Sequence, residues 1–266
     1  MNVPAAIPAS EPHLGSLVAG FLLLVAGLAL LTLRRQRNPM QSHEGTRRAL
    51  SYVLVYGLCV ASFARVIGTA LLGTERSPWL LALADVIFVT LGLFAWVMVL
   101  AEGQSLGEYG LRAVARGRLW IPMLMGIGAV AFYAHEPYLA LFEDRVALNP
   151  DIVVFALLFA GFGSALPEEL LFRGYLMGSL NGRATRWARV ALPAIAFTAV
   201  RAVRFAPWTG LGPTDWMFYI FGVALPLGLL WGLMRELSGG SLWPSLLSHF
   251  LLELGPALAG TSPAYS

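Results

Sequence analysis

Apolar runs of about twenty residues, separated by short arginine-bearing loops, recur along this chain and decide its fold class. A bilayer core about 30 Å thick needs roughly 20 apolar residues per helix, and a helix is one of few structures that satisfies its own backbone there. About eight runs qualify: Gly15–Leu33, Leu50–Leu72, Trp79–Ala101, Leu119–Ala134, Ile152–Leu166, Val190–Phe205, Trp216–Met234 and Leu242–Leu258. The chain is therefore read as all-α, a polytopic transmembrane helix bundle. Composition agrees: 58% hydrophobic and 12% charged stands far from the roughly 25% charge of soluble domains and excludes a water-soluble or disordered chain. The single Cys59 excludes a disulfide scaffold. The net charge of +3 comes from arginines scattered between runs, so no nucleic-acid partner is expected, and the bilayer is the first partner.

Arginine placement orients the bundle, because short cytoplasmic loops carry the excess of positive charge. Arg34, Arg35, Arg37, Arg47 and Arg48 lie between the first two runs, Arg112, Arg116 and Arg118 between the third and fourth, Arg183, Arg186 and Arg189 between the fifth and sixth, and Arg235 between the last two. Every second loop is basic, which puts both termini outside. The first run is followed rather than preceded by its arginines and lacks a cleavage site, so it is read as a retained helix. All 18 basic residues are arginine, a bias of GC-rich genomes, and the expected location is a bacterial cytoplasmic (inner) membrane. Residues 1–150 form an amino-terminal helical part. Within it, Glu102 to Arg118 is expected as a short interfacial helix with Leu106, Tyr109, Leu111 and Val114 on its apolar side. Residues 151–258 form a core domain and 259–266 a short tail.

Ionisable side chains at membrane depth are costly and are the default candidates for function. Those within runs are Arg65, Asp85, Glu168, Glu169, Arg173, Arg201, Arg204, His249 and Glu253. Arg65 and Asp85 lie in neighbouring helices and are read as structural, either a buried pair or one of them snorkelling to the interface. The others gather in the last hundred residues. On a helix starting near Pro167, Glu169 and Arg173 are four apart and can pair, while Glu168 points about 100° away. A carboxyl in an apolar pocket beside a second carboxylate is suited to act as a general base. His249 and Glu253, also four apart, share one helix face. A metal site is not supported, since one histidine with carboxylates makes a thin ligand set, and no cofactor is expected.

These residues resemble the intramembrane CPBP family, which comprises CAAX prenyl endopeptidase and bacteriocin-processing (Abi) proteins. The resemblance spans roughly Asp151 to Pro256. The family's Glu-Glu-x-x-x-Arg motif is matched by Glu168, Glu169 and Arg173, with Phe172 and Gly174 flanking the arginine. Its Phe-x-x-x-His is similar to Phe197 through Arg201, with arginine in place of histidine. Its His-x-x-x-Asn/Asp is similar to His249 and Glu253. The resemblance implies a glutamate-dependent peptidase with an active-site cavity between the C-terminal helices and a protein or peptide substrate in or near the membrane. Glu168 would activate water, Glu169 and Arg173 would brace the helix end, and His249 with Glu253 would help stabilise the oxyanion. Arg201 cannot shuttle a proton, and Glu253 adds negative charge where an oxyanion forms. The two exchanges compensate if they face each other, and they also fit a degenerate paralogue that acts by binding. A transporter is disfavoured by the lack of an inverted repeat.

Overall fold

The computed structural model describes residues 40–72, 78–114, 116–143, 146, 148, 150–205 and 212–260. The described residues are helical with no strand, in the order α1 (His43–Leu72), α2 (Pro78–Glu102), α3 (Trp120–Tyr133), α4 (His135–Phe142), α5 (Pro150–Ser179), α6 (Arg186–Phe205), α7 (Pro213–Leu237) and α8 (Trp243–Ala259). Three stretches are long and apolar enough to cross a membrane: Ala82–Val99 within α2, α5 and α7. The first expected run, Gly15–Leu33, lies outside the described residues. The remaining runs are helical where expected, within α1, α3, α6 and α8. Short α4 was not anticipated.

Helix α8 is the centre of the bundle, packed against α3, α4, the first half of α5 and α7, while α6 bridges α7 and α1. Its limits follow from local chemistry. Pro244 sits in its first turn, where a missing N–H costs nothing. Gly260 ends it in the left-handed conformation, φ 71°. The outward faces remain apolar, with Leu54, Leu93, Phe132, Phe162, Ile195 and Phe221 among the large exposed side chains. A soluble protein does not scatter so many over every helix, whereas lipid accepts them.

Helix α5 departs from the sequence expectation. The run was expected to end at Leu166, with a new helix near Pro167, but one continuous helix runs from Pro150 to Ser179. It accommodates Pro167 by widening: Phe159–Ala165 and Glu169–Leu176 are π-helical and flank a single α-turn, Leu166–Glu168. Proline lacks an N–H and its ring collides with the carbonyl four residues earlier, so a wider turn lets the helix pass without breaking. Such bulges recur at functional sites, and this one carries both glutamates.

The expected interfacial helix over Glu102 to Arg118 is also corrected. That stretch is turns and loop with one 3₁₀ turn, Arg116–Arg118. Gly103 and Gly110 hold φ of 65° and 98°, which end helical winding, and Tyr109 is buried instead of lying on a surface. Burial pushes the Tyr109 phenol well above its ordinary range, with Tyr175 and Glu102 adding to the effect. Nearby, Arg48 and Glu102 form a buried ion pair, Nη2 to Oε2 2.9 Å. Tyr52 donates to Glu102 Oε1 at 2.6 Å, and Arg48 Nε donates to the Tyr175 hydroxyl at 3.2 Å. This cluster ties the start of α1 and the end of α2 to α5.

Close packing against the widened turn generates a test. A Cβ on Gly163 would lie 2.5 Å from Phe88 Cδ1, whereas one on Gly117 would meet nothing within 4 Å. Phe88 is wedged edge-on against Phe155 and Phe159 and cannot swing away. Gly163→Ala is expected to cost about 1–3 kcal/mol and Gly117→Ala about 0.5 kcal/mol or less. Thermal unfolding of the two variants in detergent checks the contrast.

Candidate functional site

The structure brings Glu168, Glu169, Arg173, Arg201, His249 and Glu253 into one buried cluster, none more than 5% exposed. Three helices supply it. Glu169 and Arg173 pair along α5, Oε1 to Nη1 3.2 Å, one turn apart as their spacing predicts. Arg173 also donates to the carbonyl of Gly228 at 3.2 Å and lies over the rings of Phe197, 4.4 Å, and Trp231, 5.1 Å. An arginine with no exposed surface is tolerable here because a carboxylate and two π-faces replace its water. This also gives Phe197 a physical role: it roofs Arg173 on one side and Arg201, 5.1 Å, on another.

Glu168 points away from Glu169, toward α6 and α8. Arg201 reaches it twice, through Nε at 3.0 Å and Nη2 at 2.9 Å, both to Oε2. The same guanidinium meets Glu253 Oε1 at 2.5 Å through Nη1, and its Nη2 lies 2.9 Å from Ser164 Oγ and 2.6 Å from His249 Nε2. The two residues that differ from the family pattern thus face each other. Their charges are matched in geometry: the positive residue gained stands between two carboxylates, one of them the negative residue gained.

Histidine 249 is oriented from both sides. Its Nδ1 is 3.1 Å from Glu169 Oε1, an acceptor, while its Nε2 faces the Arg201 donor. The partners therefore assign the ring proton to Nδ1 and leave the Nε2 lone pair to receive from Arg201. Trp231 stacks on the imidazole at 4.0 Å and 17°, and its own Nε1 donates to Ser248 Oγ at 3.2 Å. Two contributors escaped the sequence reading. Ser164 stands one helical turn before Glu168, a spacing that was a readable signal. Trp231 gave none, since an apolar residue in an apolar helix is unremarkable until its neighbour is known.

The expected cavity between the C-terminal helices is small. A space of about 10 Å³ adjoins Arg201 and Glu253, lined also by Phe197, Tyr219, Trp231 and Leu252. That is about the room a single water requires. The guanidinium of Arg201 and the rings of Phe197 and Trp231 fill the rest. On the far side the π-helical turn Phe218–Ala224 supplies Tyr219, Val223 and Ala224 to the wall. Among the described residues no group of three or more His, Cys, Asp and Glu side chains is arranged to hold a metal ion. Arginines occupy the faces of these carboxylates instead. The side chains of Arg65 and Arg204 lie outside the described residues, and Asp85 sits on α2, in a different part of the bundle.

An all-helical chain of lipid-facing exterior, with a glutamate pair, two arginines and a histidine sealed between its C-terminal helices, is an integral membrane protein with a polar centre. Residues 150–255 match the family described as Type II CAAX prenyl endopeptidase Rce1-like, a match that supports membership of the CPBP family. All six clustered residues fall within the match. No curated protein and no solved structure matches the chain.

The geometry predicts unequal costs of substitution. Arg201→Met strands two buried carboxylates and is expected to destabilise by about 3–5 kcal/mol. Glu253→Gln keeps an acceptor for Arg201 and is expected to cost about 1–2 kcal/mol. Denaturant unfolding in detergent ranks the two, and equal losses contradict a shared role for Arg201 between Glu168 and Glu253.

Proposed function

We propose that the chain is a CPBP-type intramembrane endopeptidase in which Glu168 activates water to cleave a C-terminal or membrane-proximal segment of a protein or peptide substrate. The observation that carries this reading is the position of Glu168: a wholly buried carboxylate facing a histidine and an arginine from two other helices, with the same arginine lining a water-sized space. Glu168 takes a proton from water, and the water oxygen bonds to the substrate's carbonyl carbon. The carbonyl oxygen becomes an oxyanion, the C–N bond breaks, and Glu168 returns the proton to the leaving amine.

The substituted residues define a variant of the family's wall. With the ring proton on Nδ1 and held by Glu169, His249 presents an acceptor toward the site, so the donor that meets the oxyanion is Arg201. Its charge is permanent and its five N–H groups outnumber its present partners. Glu253 then offsets that charge in the resting site instead of opposing the oxyanion. Substrate entry requires Arg201 to turn its Nη2 from Glu168 toward the carbonyl, and α6 and α7 to part beside Tyr219. The bundle would comprise about eight spans, with the first apolar run and α1, α3, α6 and α8 joining the three apolar stretches of α2, α5 and α7. We place it in a bacterial cytoplasmic membrane with the arginine-rich loops inside.

One observation favours a second reading. Both Arg201 contacts converge on Glu168 Oε2, an arrangement that also suits a satisfied polar network serving a binding or scaffold protein. A comparison of wild type, Glu168→Gln and Arg201→His at matched expression separates the two, with carboxy termini of membrane proteins read by mass spectrometry. The expected outcome is cleaved termini in wild type, lowered about 10²–10⁴-fold by Glu168→Gln. Undiminished cleavage by Glu168→Gln would falsify the peptidase mechanism, and cleavage by Arg201→His alone identifies a disarmed relative.

A further inference from the structure

A larger cavity, about 630 Å³, lies outside the motif cluster. It forms where the loop after α2, the α5–α6 junction and the carboxy-terminal end of α7 converge. Arg112, Arg189 and Arg235 line it from these three directions, accompanied by Glu108 and Glu236. The three arginines are not equivalent. Arg189 is engaged, donating to Glu236 Oε2 at 3.0 Å and to Asn181 Oδ1. Arg112 donates to the carbonyl of Gly239 and has no carboxylate partner. Arg235 is 8% exposed, its side chain makes no hydrogen bond or ion pair among the described residues, and its Nε is unsatisfied.

Two glycines flank the buried guanidinium of Arg235. Its guanidinium lies between Gly110 and Gly178, where added Cβ atoms would stand 3.5 Å from Nε and 3.7 Å from Nη2. Gly110 holds φ 98° and Gly240, across the cavity, φ 90°, values that side chains resist. A Cβ on Gly240 would come within 2.7 Å of Arg112 Nη2. Glycine at 240 thus leaves room for the Arg112 guanidinium, while Gly110 and Gly178 border that of Arg235 at ordinary contact distance. A buried cation that no carboxylate contacts, with Glu236 acting on it only through space, is costly to hold, and arginine does not relieve the cost by losing its proton.

From this geometry we infer that the cavity binds a phosphate group, held by Arg235 at its base and Arg112 at its rim. Planar guanidinium forks arriving from separate elements suit a tetrahedral anion with several oxygens better than a two-oxygen carboxylate. The site is on the arginine-rich end of the bundle, where either a phospholipid headgroup or a free phosphate can reach it. The inference is independent of the peptidase reading, since neither arginine belongs to the Glu168 cluster.

The test uses the full chain purified in detergent without phosphate, followed by thermal unfolding. Inorganic phosphate, dihexanoyl phosphatidylglycerol and, as the headgroup-free control, dihexanoylglycerol are titrated separately. Wild type is expected to gain stability from one or both phosphate-bearing probes and not from dihexanoylglycerol. Arg235→Gln and Arg112→Gln are each expected to weaken that response by about tenfold or more. Arg112 is exposed, so its variant keeps the test valid if Arg235→Gln folds poorly. A response to inorganic phosphate assigns a free anion, and a response to phosphatidylglycerol alone assigns a lipid headgroup. No response to either, or a response that Arg112→Gln leaves unchanged, overturns the inference.

Discussion

The guanidinium of Arg201 is the interaction on which the C-terminal half depends. It touches Glu168 on α5, Glu253 and His249 on α8, and Ser164 one turn above Glu168, all within 3.0 Å. In a bundle surrounded by lipid these groups have no water to fall back on, so each must find its complement inside the protein. Hydrophobic burial alone does not select one register between α5, α6 and α8, because lipid is as apolar as leucine. A five-way polar junction does select one: sliding either helix by a turn would leave a carboxylate or the guanidinium unsatisfied. The Glu169–Arg173 pair, capped by the Phe197 and Trp231 rings, plays the corresponding role between α5 and α7.

The charge balance within this junction connects packing to chemistry. Two guanidiniums, Arg173 and Arg201, face three carboxylates, Glu168, Glu169 and Glu253. With His249 holding a single ring proton, the cluster carries one negative charge more than positive. Protons taken up by such a group belong to the set rather than to one residue. The cluster is sealed, and a space about the size of one water adjoins Glu253 and Arg201.

How much of this was legible in the sequence depended on the range of each interaction. Pairs one turn apart on a single helix, Glu169 with Arg173 and His249 with Glu253, were readable because helical geometry alone determines them. The opposite heading of Glu168 followed from the same geometry. The junction through Arg201 was readable only as a conditional, that two exchanges offset each other if they meet, since nothing local fixes the distance between α6 and α8. Two local readings failed for local reasons. Pro167 was taken as a helix start, whereas a π-helical widening carries the helix through it. The segment from Glu102 to Arg118 was taken as helical on its apolar spacing, although Gly103 and Gly110 stood in it as contrary signals. Trp231 was invisible because its contribution, a ring laid flat on an imidazole, exists only in three dimensions.

The widening at Pro167 also explains why the glutamate pair is usable. In an unbroken α-helix, consecutive residues diverge by about 100° and each faces a fixed neighbour. Here π-helical turns lie on both sides of Leu166–Glu168, which shifts the residues before the proline relative to those after it. Ser164 and Glu168 then both reach Arg201, while Glu169 turns to Arg173 and the Nδ1 of His249. Spacing alone separates the two carboxylates; the defect sets the residues before the proline, Ser164 among them, relative to both. The residue that interrupts the run thus sets Ser164 beside Glu168 against Arg201, while Glu169, next round the helix, braces the histidine.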